Sequence, residues 1–341
     1  MRCLVYSLLV ICLASAAQAL TIEAERHYGT TKPQPDLQIL SSADIEVFEP
    51  VLSAYARSNS SLHIRYVMTS TAEIYDAVVS SEHNYDLILS SAMDLQMKLA
   101  NDGFALPVIL SDREAGPSWS HWQDKLFGFS LEPIGMVISK SHFPERNIPN
   151  NRRSLISFLR ANQAELTGKV ATYDVSQSGA GFLFATQDAR QSDSFWRLAE
   201  VMGSLKTKTY CCSGQMLDAV NRGELLLAYN VIGSYAEKRS QHLANLRVIY
   251  PQDYTHMLLR TALVPREAHA PERARDFLKF LLSKRGQAFI EENTGMLSLT
   301  SELLIENRHF RPIRLDTGLL VYLDRLKQDR FLDEWKEALV Q

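Results

Sequence analysis

Pairs of hydroxyl-bearing residues follow three apolar runs in the first third of the chain. They are, in chain order, Ser41 and Ser42, Thr69 and Ser70, and Ser90 and Ser91. Each pair stands where an apolar run ends and a helical pattern begins, a position at which hydroxyls and free backbone N–H groups hold an anion or a polar oxygen. Each residue taken singly also fits an ordinary helix cap. Three such pairs on successive runs favour a ligand-binding site.

A second set of polar and small residues stands in the middle of the chain, in the turn before another helical pattern. Its members are Ser176, Ser178, Gly179 and Ala180. Small residues let a ligand approach the backbone, and Ser178 with the N–H groups after it suits an anion. A nucleotide-type phosphate loop is excluded, because its lysine is missing.

Three further residues are candidates for the same site. Tyr229 and Asn230 end an apolar run and offer a hydroxyl and an amide that both donates and accepts. Glu132 interrupts a long apolar run. Its carboxylate either accepts hydrogen bonds from ligand hydroxyls or belongs to a solvent-exposed hinge.

The elements that must position these residues alternate between strand and helix. Leu37–Leu40, Leu62–Val67 and Tyr85–Leu89 have the pattern of strands, and a helical apolar face follows from Ile45 to Tyr55. This order predicts an α/β fold with a parallel sheet. Ligands of such sheets bind beyond the carboxyl ends of the strands, where the hydroxyl pairs lie.

The chain is too long for one hydrophobic core. It has 341 residues, of which 46% are hydrophobic, so two lobes are expected. The run Leu126–Ile138, broken by Glu132 and Pro133, is typical of a strand that crosses between lobes. The predicted divisions are a leader at 1–19, the first part of lobe 1 at 20–130, lobe 2 at 131–235, and a second crossover with a return to lobe 1 at 236–341.

The N-terminal residues predict export. Arg2 precedes an apolar stretch and the small-residue run Ala14–Ala19, which is the layout of a signal peptide cleaved after Ala19. The apolar stretch is too short to span a bilayer. We therefore expect a periplasmic protein. The balance of 36 basic and 39 acidic residues gives no reason to expect a nucleic-acid partner.

Neither the cysteines nor the histidines predict a metal centre. Cys211 and Cys212 are adjacent and remain after the leader is removed, either as a vicinal disulfide or as two thiols. The nine histidines lack the spacing of metal ligands. No Gly-x-Ser-x-Gly motif is present. We expect no cofactor, no metal and no enzymatic activity.

Two segments carry a resemblance to a known family. The run from Gly223 through Tyr229 to Ala236, and later Arg260 to Pro265, resemble the ferric-iron-type family of periplasmic solute-binding proteins. The family includes binders of iron, of hexose phosphates and of other organic anions. The resemblance implies a hinge-linked, two-lobed type II periplasmic-binding-protein fold that closes on its ligand, with the second crossover near residues 230–250. It also implies a monomer whose partner is the inner-membrane permease of an ABC importer, or a sensor kinase.

The same resemblance bears on the ligand. Ferric binders of the family use two adjacent tyrosines where this chain has Tyr229 and Asn230, and a neutral amide is a poor substitute for a phenolate on Fe(III). A small anionic organic solute, a sugar phosphate or an organic acid, is therefore the predicted ligand. The alternatives are a ferric-iron-binding protein of an iron importer, or a ligand-sensing accessory protein of a two-component sensor kinase.

Overall fold

The computed structural model describes residues 20–81, 83–110, 116–143 and 148–339. The signal peptide predicted over residues 1–19 lies outside the described residues. None of the helices in these four ranges combines the length and the apolar character needed to cross a membrane.

Strands and helices alternate along much of the chain, as predicted. The strands are β1 (Ala24–Gly29), β2 (Leu37–Ser41), β3 (His63–Met68), β4 (Leu87–Ser90), β5 (His121–Trp122), β6 (Leu126–Ser139), β7 (Val170–Tyr173), β8 (Lys208–Tyr210), β9 (Leu227–Ile232), β10 (Leu246–Ile249), β11 (Thr255–Leu263) and β12 (Phe310–Pro312). The helices are α1 (Ile45–Ser58), α2 (Thr71–Ser80), α3 (Met93–Asn101), α4 (Arg152–Ala161), α5 (Gln163–Leu166), α6 (Gly179–Gln191), α7 (Ser194–Ser204), α8 (Ser213–Asn221), α9 (Gly233–Ser240), α10 (Pro271–Leu282), α11 (Lys284–Thr294), α12 (Leu303–Glu306) and α13 (Arg325–Leu339), with a 3-10 helix at Thr317–Leu323.

The strands form a mixed sheet in the order β1-β3-β2-β4-β11-β6-β9-β7-β8. The pairs β2-β3, β2-β4, β7-β8 and β7-β9 are parallel, whereas β1, β6 and β11 run antiparallel to their neighbours in this order. Because the carboxyl ends of β2, β3 and β4 lie at one edge, the turns after these strands come together. The predicted α/β class is confirmed.

The long strand β6 joins the two lobes. Its first half pairs with β11 as far as Pro133, and its second half pairs with β9 from Ile134. Pro133 has no N–H to donate to a ladder, so the exchange of partners occurs at the residue that least supports continuous pairing. The crossing strand predicted from Leu126 to Ile138 is therefore present, and it ends one residue later at Ser139.

The predicted boundaries of the second lobe need two corrections. The strand β10 still pairs with the lobe 2 half of β6, and the chain returns to lobe 1 only in β11, so the second crossover lies at 250–254 instead of 230–250. The C-terminal helix α13 then packs on α7 of lobe 2, where Phe331 and Trp335 stack against Phe195. The expected return of residues 236–341 to lobe 1 therefore starts later and stops before α13.

Candidate ligand-binding cleft

The two lobes enclose a cavity of about 100 Å³. Lobe 1 contributes Glu23, Ser42, Asp44, Met68, Thr69, Ser70, Thr71 and Ser91. Lobe 2 contributes Tyr173, Gln177, Ser178, Ala180, Cys211, Cys212, Ser213, Ile232 and Tyr235. The N-terminal ends of α1, α2, α6 and α8 reach this cavity through Asp44, Ser70, Ser178 and Cys212, the residue before each helix. The cavity is the place where the polar turns of both lobes meet.

Six of the predicted site residues line this cavity. They are Ser42, Thr69, Ser70, Ser91, Ser178 and Ala180. Ser41 and Ser90 lie one residue deeper, where each hydroxyl oxygen accepts the backbone N–H two residues ahead. Ser176 and Gly179 line a neighbouring cavity of about 250 Å³, which shares Gln177 and Ser178 with the first.

Most of the lining hydroxyls have partners within the protein. Ser70 accepts the N–H of Glu73 at 3.2 Å, and Ser178 accepts the N–H of Gly181 at 3.1 Å, so both cap a helix. The Thr69 hydroxyl donates to a backbone carbonyl at 2.5 Å. The Thr69 O–H is thus used within the protein, whereas Ser70 and Ser178 accept in these bonds and keep an O–H that can donate to a ligand.

A hydrogen bond between Asp44 and Tyr235 joins the two lobes across the cleft. The backbone N–H of Asp44 in lobe 1 donates to the hydroxyl oxygen of Tyr235 in lobe 2 at 3.3 Å. The same oxygen accepts from the Arg260 guanidinium at 3.1 Å. Tyr235 thereby connects the N-terminus of α1 with a cation below the cavity. The structure therefore has its lobes in contact, as in a closed receptor.

A second tyrosine is fixed on the lobe 2 side. The hydroxyl groups of Tyr173 and Ser213 lie 2.6 Å apart, and the Ser213 oxygen also accepts the N–H of Ile232 at 3.0 Å. Burial raises the pKa of both Tyr173 and Tyr235 well above the ordinary value. Both phenols are therefore neutral at neutral pH.

The ionisable acidic side chains among the described lining residues are the carboxylates of Glu23 and Asp44. Glu23 is exposed at the opening, and Asp44 precedes α1 without a side-chain capping bond. Desolvation and the charge of Asp44 raise the pKa of Glu23. Desolvation also raises the pKa of Asp44, although the Arg260 and Arg239 guanidiniums oppose it. No lysine or arginine is among the described lining residues. The ionisable side chains of the lobe 1 wall are thus both acidic.

Tyr229 and Asn230 do not reach this cavity, contrary to expectation. The Tyr229 hydroxyl donates to Asp188 Oδ2 at 2.8 Å, and Asn230 Nδ2 donates to the same oxygen at 3.1 Å. Arg152 binds Asp188 Oδ1 from the other side at 2.8 Å. Although burial acts in the opposite direction, the Arg152 guanidinium holds the pKa of Asp188 well below its ordinary value. Both predicted residues therefore satisfy a buried carboxylate inside lobe 2.

Glu132 is also occupied within the protein. It is fully buried, pairs with Arg260 at 2.8 Å and accepts the Ser234 hydroxyl. It is neither a solvent-exposed hinge residue nor a residue of the cavity wall. Its position on β6 makes it a connection between the crossover strand and lobe 2.

The cysteine pair is oxidised and faces the cleft. Cys211 and Cys212 are joined by a disulfide, and both are exposed where they line the cavity. Within the described part of the chain, no group of three or more His, Cys, Asp or Glu residues is placed to hold a metal ion.

The cavity also has lining residues that were not predicted from the sequence. They are Glu23, Asp44, Met68, Thr71, Tyr173, Gln177, Cys211, Cys212, Ser213, Ile232 and Tyr235.

Comparison with known proteins decides the family. The model of a family described as bacterial extracellular solute-binding protein matches residues 37–296. The chain belongs to this family. A crystal structure of the substrate-binding protein of an ABC transporter from Agrobacterium tumefaciens is 30% identical, with a TM-score of 0.88 over 94% of this chain and 100% of that one. A search of curated proteins found no significant match.

More distant relatives of this solute-binding protein share the fold. The apo ferric ion-binding protein A of Pasteurella haemolytica is 14% identical, with a TM-score of 0.67 over 87% of this chain and 98% of that one. The periplasmic binding protein AfuA from Actinobacillus pleuropneumoniae, solved with fructose-6-phosphate bound, is 14% identical, with a TM-score of 0.68 over 89% and 98%. The predicted two-lobed periplasmic-binding-protein fold is confirmed. The family binds solutes and is not one of enzymes.

Proposed function

We propose that this solute-binding protein captures a small organic solute with a cationic amino group in the cleft and presents it to the permease of an ABC importer. Family membership supports the capture of a solute, and the Agrobacterium relative supports an ABC transporter as the partner. Contacts to both lobes at once favour the closed form, which is the form a membrane partner distinguishes from the open one. A sensor kinase as the partner would require the same cavity.

The charge of the cavity wall carries the choice of solute. The charge of Asp44 raises the pKa of Glu23, and no lysine or arginine is among the described lining residues. An ammonium group would lie between two carboxylates and lower the pKa of both. An anion would be repelled by the same two carboxylates. A cationic solute therefore replaces the anionic one predicted from the hydroxyl pairs.

Ferric iron is the weaker alternative. Its phenolate ligands would have to come from Tyr173 and Tyr235, whose pKa values burial raises. Each hydroxyl is already held in a hydrogen bond within the protein, to Ser213 and to Arg260 respectively. Iron binding would break both of these bonds. The amino group needs no such rearrangement.

The direct test is a set of three ligands of similar size that differ in charge. Ethanolamine, ethylene glycol and glycolate are each added to the dialysed mature protein, with Fe(III) citrate as a fourth condition, and the melting temperature is measured. A ligand that binds only the native state raises this temperature. We expect a rise with ethanolamine alone. A rise with glycolate, or only with Fe(III), would refute the proposal.

Two variants connect the effect to Asp44. Asn is as good as Asp before a helix, so Asp44→Asn keeps the fold and removes one charge. We expect it to weaken ethanolamine binding at least tenfold in calorimetry. Glu46→Gln, in the first turn of the same helix but outside the cavity, is the matched control and should leave binding unchanged. Equal losses in both variants would show a general surface-charge effect.

A further inference from the structure

The disulfide between Cys211 and Cys212 is placed where it contributes little to folding. Both residues are exposed and belong to neither hydrophobic core cluster. A disulfide stabilises chiefly by closing a loop of the unfolded chain, and the effect grows with loop length. Here the sequence separation is one residue. The bond therefore needs an explanation other than the stability of lobe 2.

The disulfide is instead part of the cavity wall. Cys212 is the residue before α8, and Ser213 next to it positions Tyr173 and the N–H of Ile232. The segment carrying the disulfide is thus held at one side of the cavity by two hydrogen bonds. Glu23 and Asp44 come from the other lobe. A solute in the cleft has Glu23 and Asp44 on its lobe 1 side and the Cys211–Cys212 pair on its lobe 2 side.

The chemistry of the two walls is complementary for an amine with a carbon skeleton. Divalent sulfur is polarisable and only a weak hydrogen-bond acceptor, so it favours contact with C–H groups over contact with water. Two free thiols would add weak donors and remove the covalent link between the two side chains. The oxidised pair is the form that presents a continuous apolar surface.

We propose that the Cys211–Cys212 disulfide is a ligand contact, the apolar surface against which the uncharged part of the cationic solute packs, and that it sets how large this part can be. This inference rests on the proposed function, because it assigns the second half of the same ligand. The carboxylates select the charge of the solute, and the disulfide selects its carbon skeleton.

A homologous series of primary amines, from methylamine to butylamine, tests the inference by calorimetry. Burial of one methylene group raises affinity about fourfold. In the oxidised wild type we expect this gain for each added methylene, up to the longest amine that fits the cavity. In the double variant C211S/C212S we expect this gain to fall below about twofold. The Asp44→Asn variant should keep the gain per methylene and lose affinity equally for all members.

A second measurement probes the disulfide of the wild type directly. Bound butylamine should cover the sulfur atoms and slow the reduction of the disulfide by a phosphine, followed by alkylation and mass measurement. Treating C211S/C212S with the same phosphine should leave its amine affinity unchanged, which controls for other effects of the reductant. Equal gains per methylene in wild type and double variant, or equal reduction rates with and without butylamine, would overturn the inference. If no amine binds the wild type, the proposed function itself fails.

Discussion

Glu132 and Arg260 form a fully buried ion pair between the crossover strand β6 and the neighbouring lobe 1 strand β11. Glu132 lies on β6 and Arg260 on β11, and the guanidinium Nε lies 2.8 Å from Glu132 Oε1. Lobe 2 binds both partners, because Ser234 donates to the carboxylate and Tyr235 accepts from the guanidinium. The pair thus links the crossover to the residue that bridges the cleft.

Removing one charge of this pair should destabilise the protein. Glu132→Gln leaves the Arg260 cation buried without a counter-charge, and we expect the free energy of unfolding in urea to fall by about 3–5 kcal/mol. The double variant E132L/R260M removes both charges and should recover most of this loss. A single variant as stable as the wild type would show that solvent reaches the pair.

Gly179 should control closure of the lobes. A Cβ at this position would lie 2.8 Å from Leu95 Cδ1, 2.9 Å from Thr71 Oγ1 and 3.2 Å from Ala92 Cβ, all in lobe 1. Gly179→Val should therefore hold the lobes apart, lower ligand affinity at least tenfold and increase the radius of gyration in small-angle X-ray scattering. The unfolding free energy should change little, since the clash is relieved by opening.

Gly214 provides a control glycine at the start of another helix that lines the cleft. It lies near the start of α8 as Gly179 does in α6, and its Cβ would meet only the flexible Arg239 side chain, at 3.2 Å. Gly214→Ala should keep the wild-type scattering profile and affinity. If Gly179→Val also keeps them, the contact between α6 and lobe 1 does not limit closure.

Asn230 should matter for stability and not for binding. Its backbone has a φ of 63°, and its side chain donates to the buried Asp188. Asn230→Ala loses this bond and strains the backbone, whereas Asn230→Gly loses only the bond. We expect the alanine variant to be less stable than the glycine variant by about 1 kcal/mol in urea unfolding. Both should bind the ligand as the wild type does, and a large loss of affinity would return Asn230 to the site.

The same residue shows where sequence reasoning reached its limit. The order of strands and helices and the crossover at Glu132 and Pro133 follow from local patterns, and the structure has them. The face of the sheet on which a side chain lies at the end of a strand does not follow from local patterns, because an irregularity of one residue moves the side chain to the other face. The register of β6 and β9 shifts beside Asn230, so Tyr229 and Asn230 both turn to Asp188.

Other parts of the site differ in how far the sequence could have revealed them. Ser213 opens α8 as Thr71 opens α2, so the pattern of a helix start would have found it and the cysteines before it. Glu23 carries no such signal. It reaches the cavity because the segment before β1 runs along the end of β3, where its N–H donates to the Met68 carbonyl, and this pairing of distant residues leaves no local pattern.

Asp94 should make the stability of the protein depend on pH. It is 2% exposed on α3, lines the cavity beside the cleft, and its Oδ1 accepts the N–H of Leu95 at 2.9 Å. Among the described residues it has no ion-pair partner, and Lys98 on the same helix pairs with Asp102. Burial raises the pKa of Asp94 to about 7. In the unfolded chain the value is about 3.9.

The direction in which stability changes with pH follows from the difference between these two pKa values of Asp94. In the folded protein Asp94 keeps its proton up to about pH 7, whereas in the unfolded chain it releases the proton near pH 4. The loss of unfolding free energy that Asp94 causes is therefore absent below pH 4, grows as pH rises, and is complete above pH 7. Asp94→Asn keeps the acceptor for the Leu95 N–H and removes the charge. We expect the variant to unfold at higher urea than the wild type at pH 8 and at nearly the same urea at pH 4. Tyr75 and Asp76 on α2 also line this cavity, so Asp76→Asn is the control: it keeps Asp94 and should lose stability between pH 4 and pH 8 much as the wild type does. A difference between wild type and Asp94→Asn that is equal at both pH values would mean that solvent keeps Asp94 ionised in the folded protein.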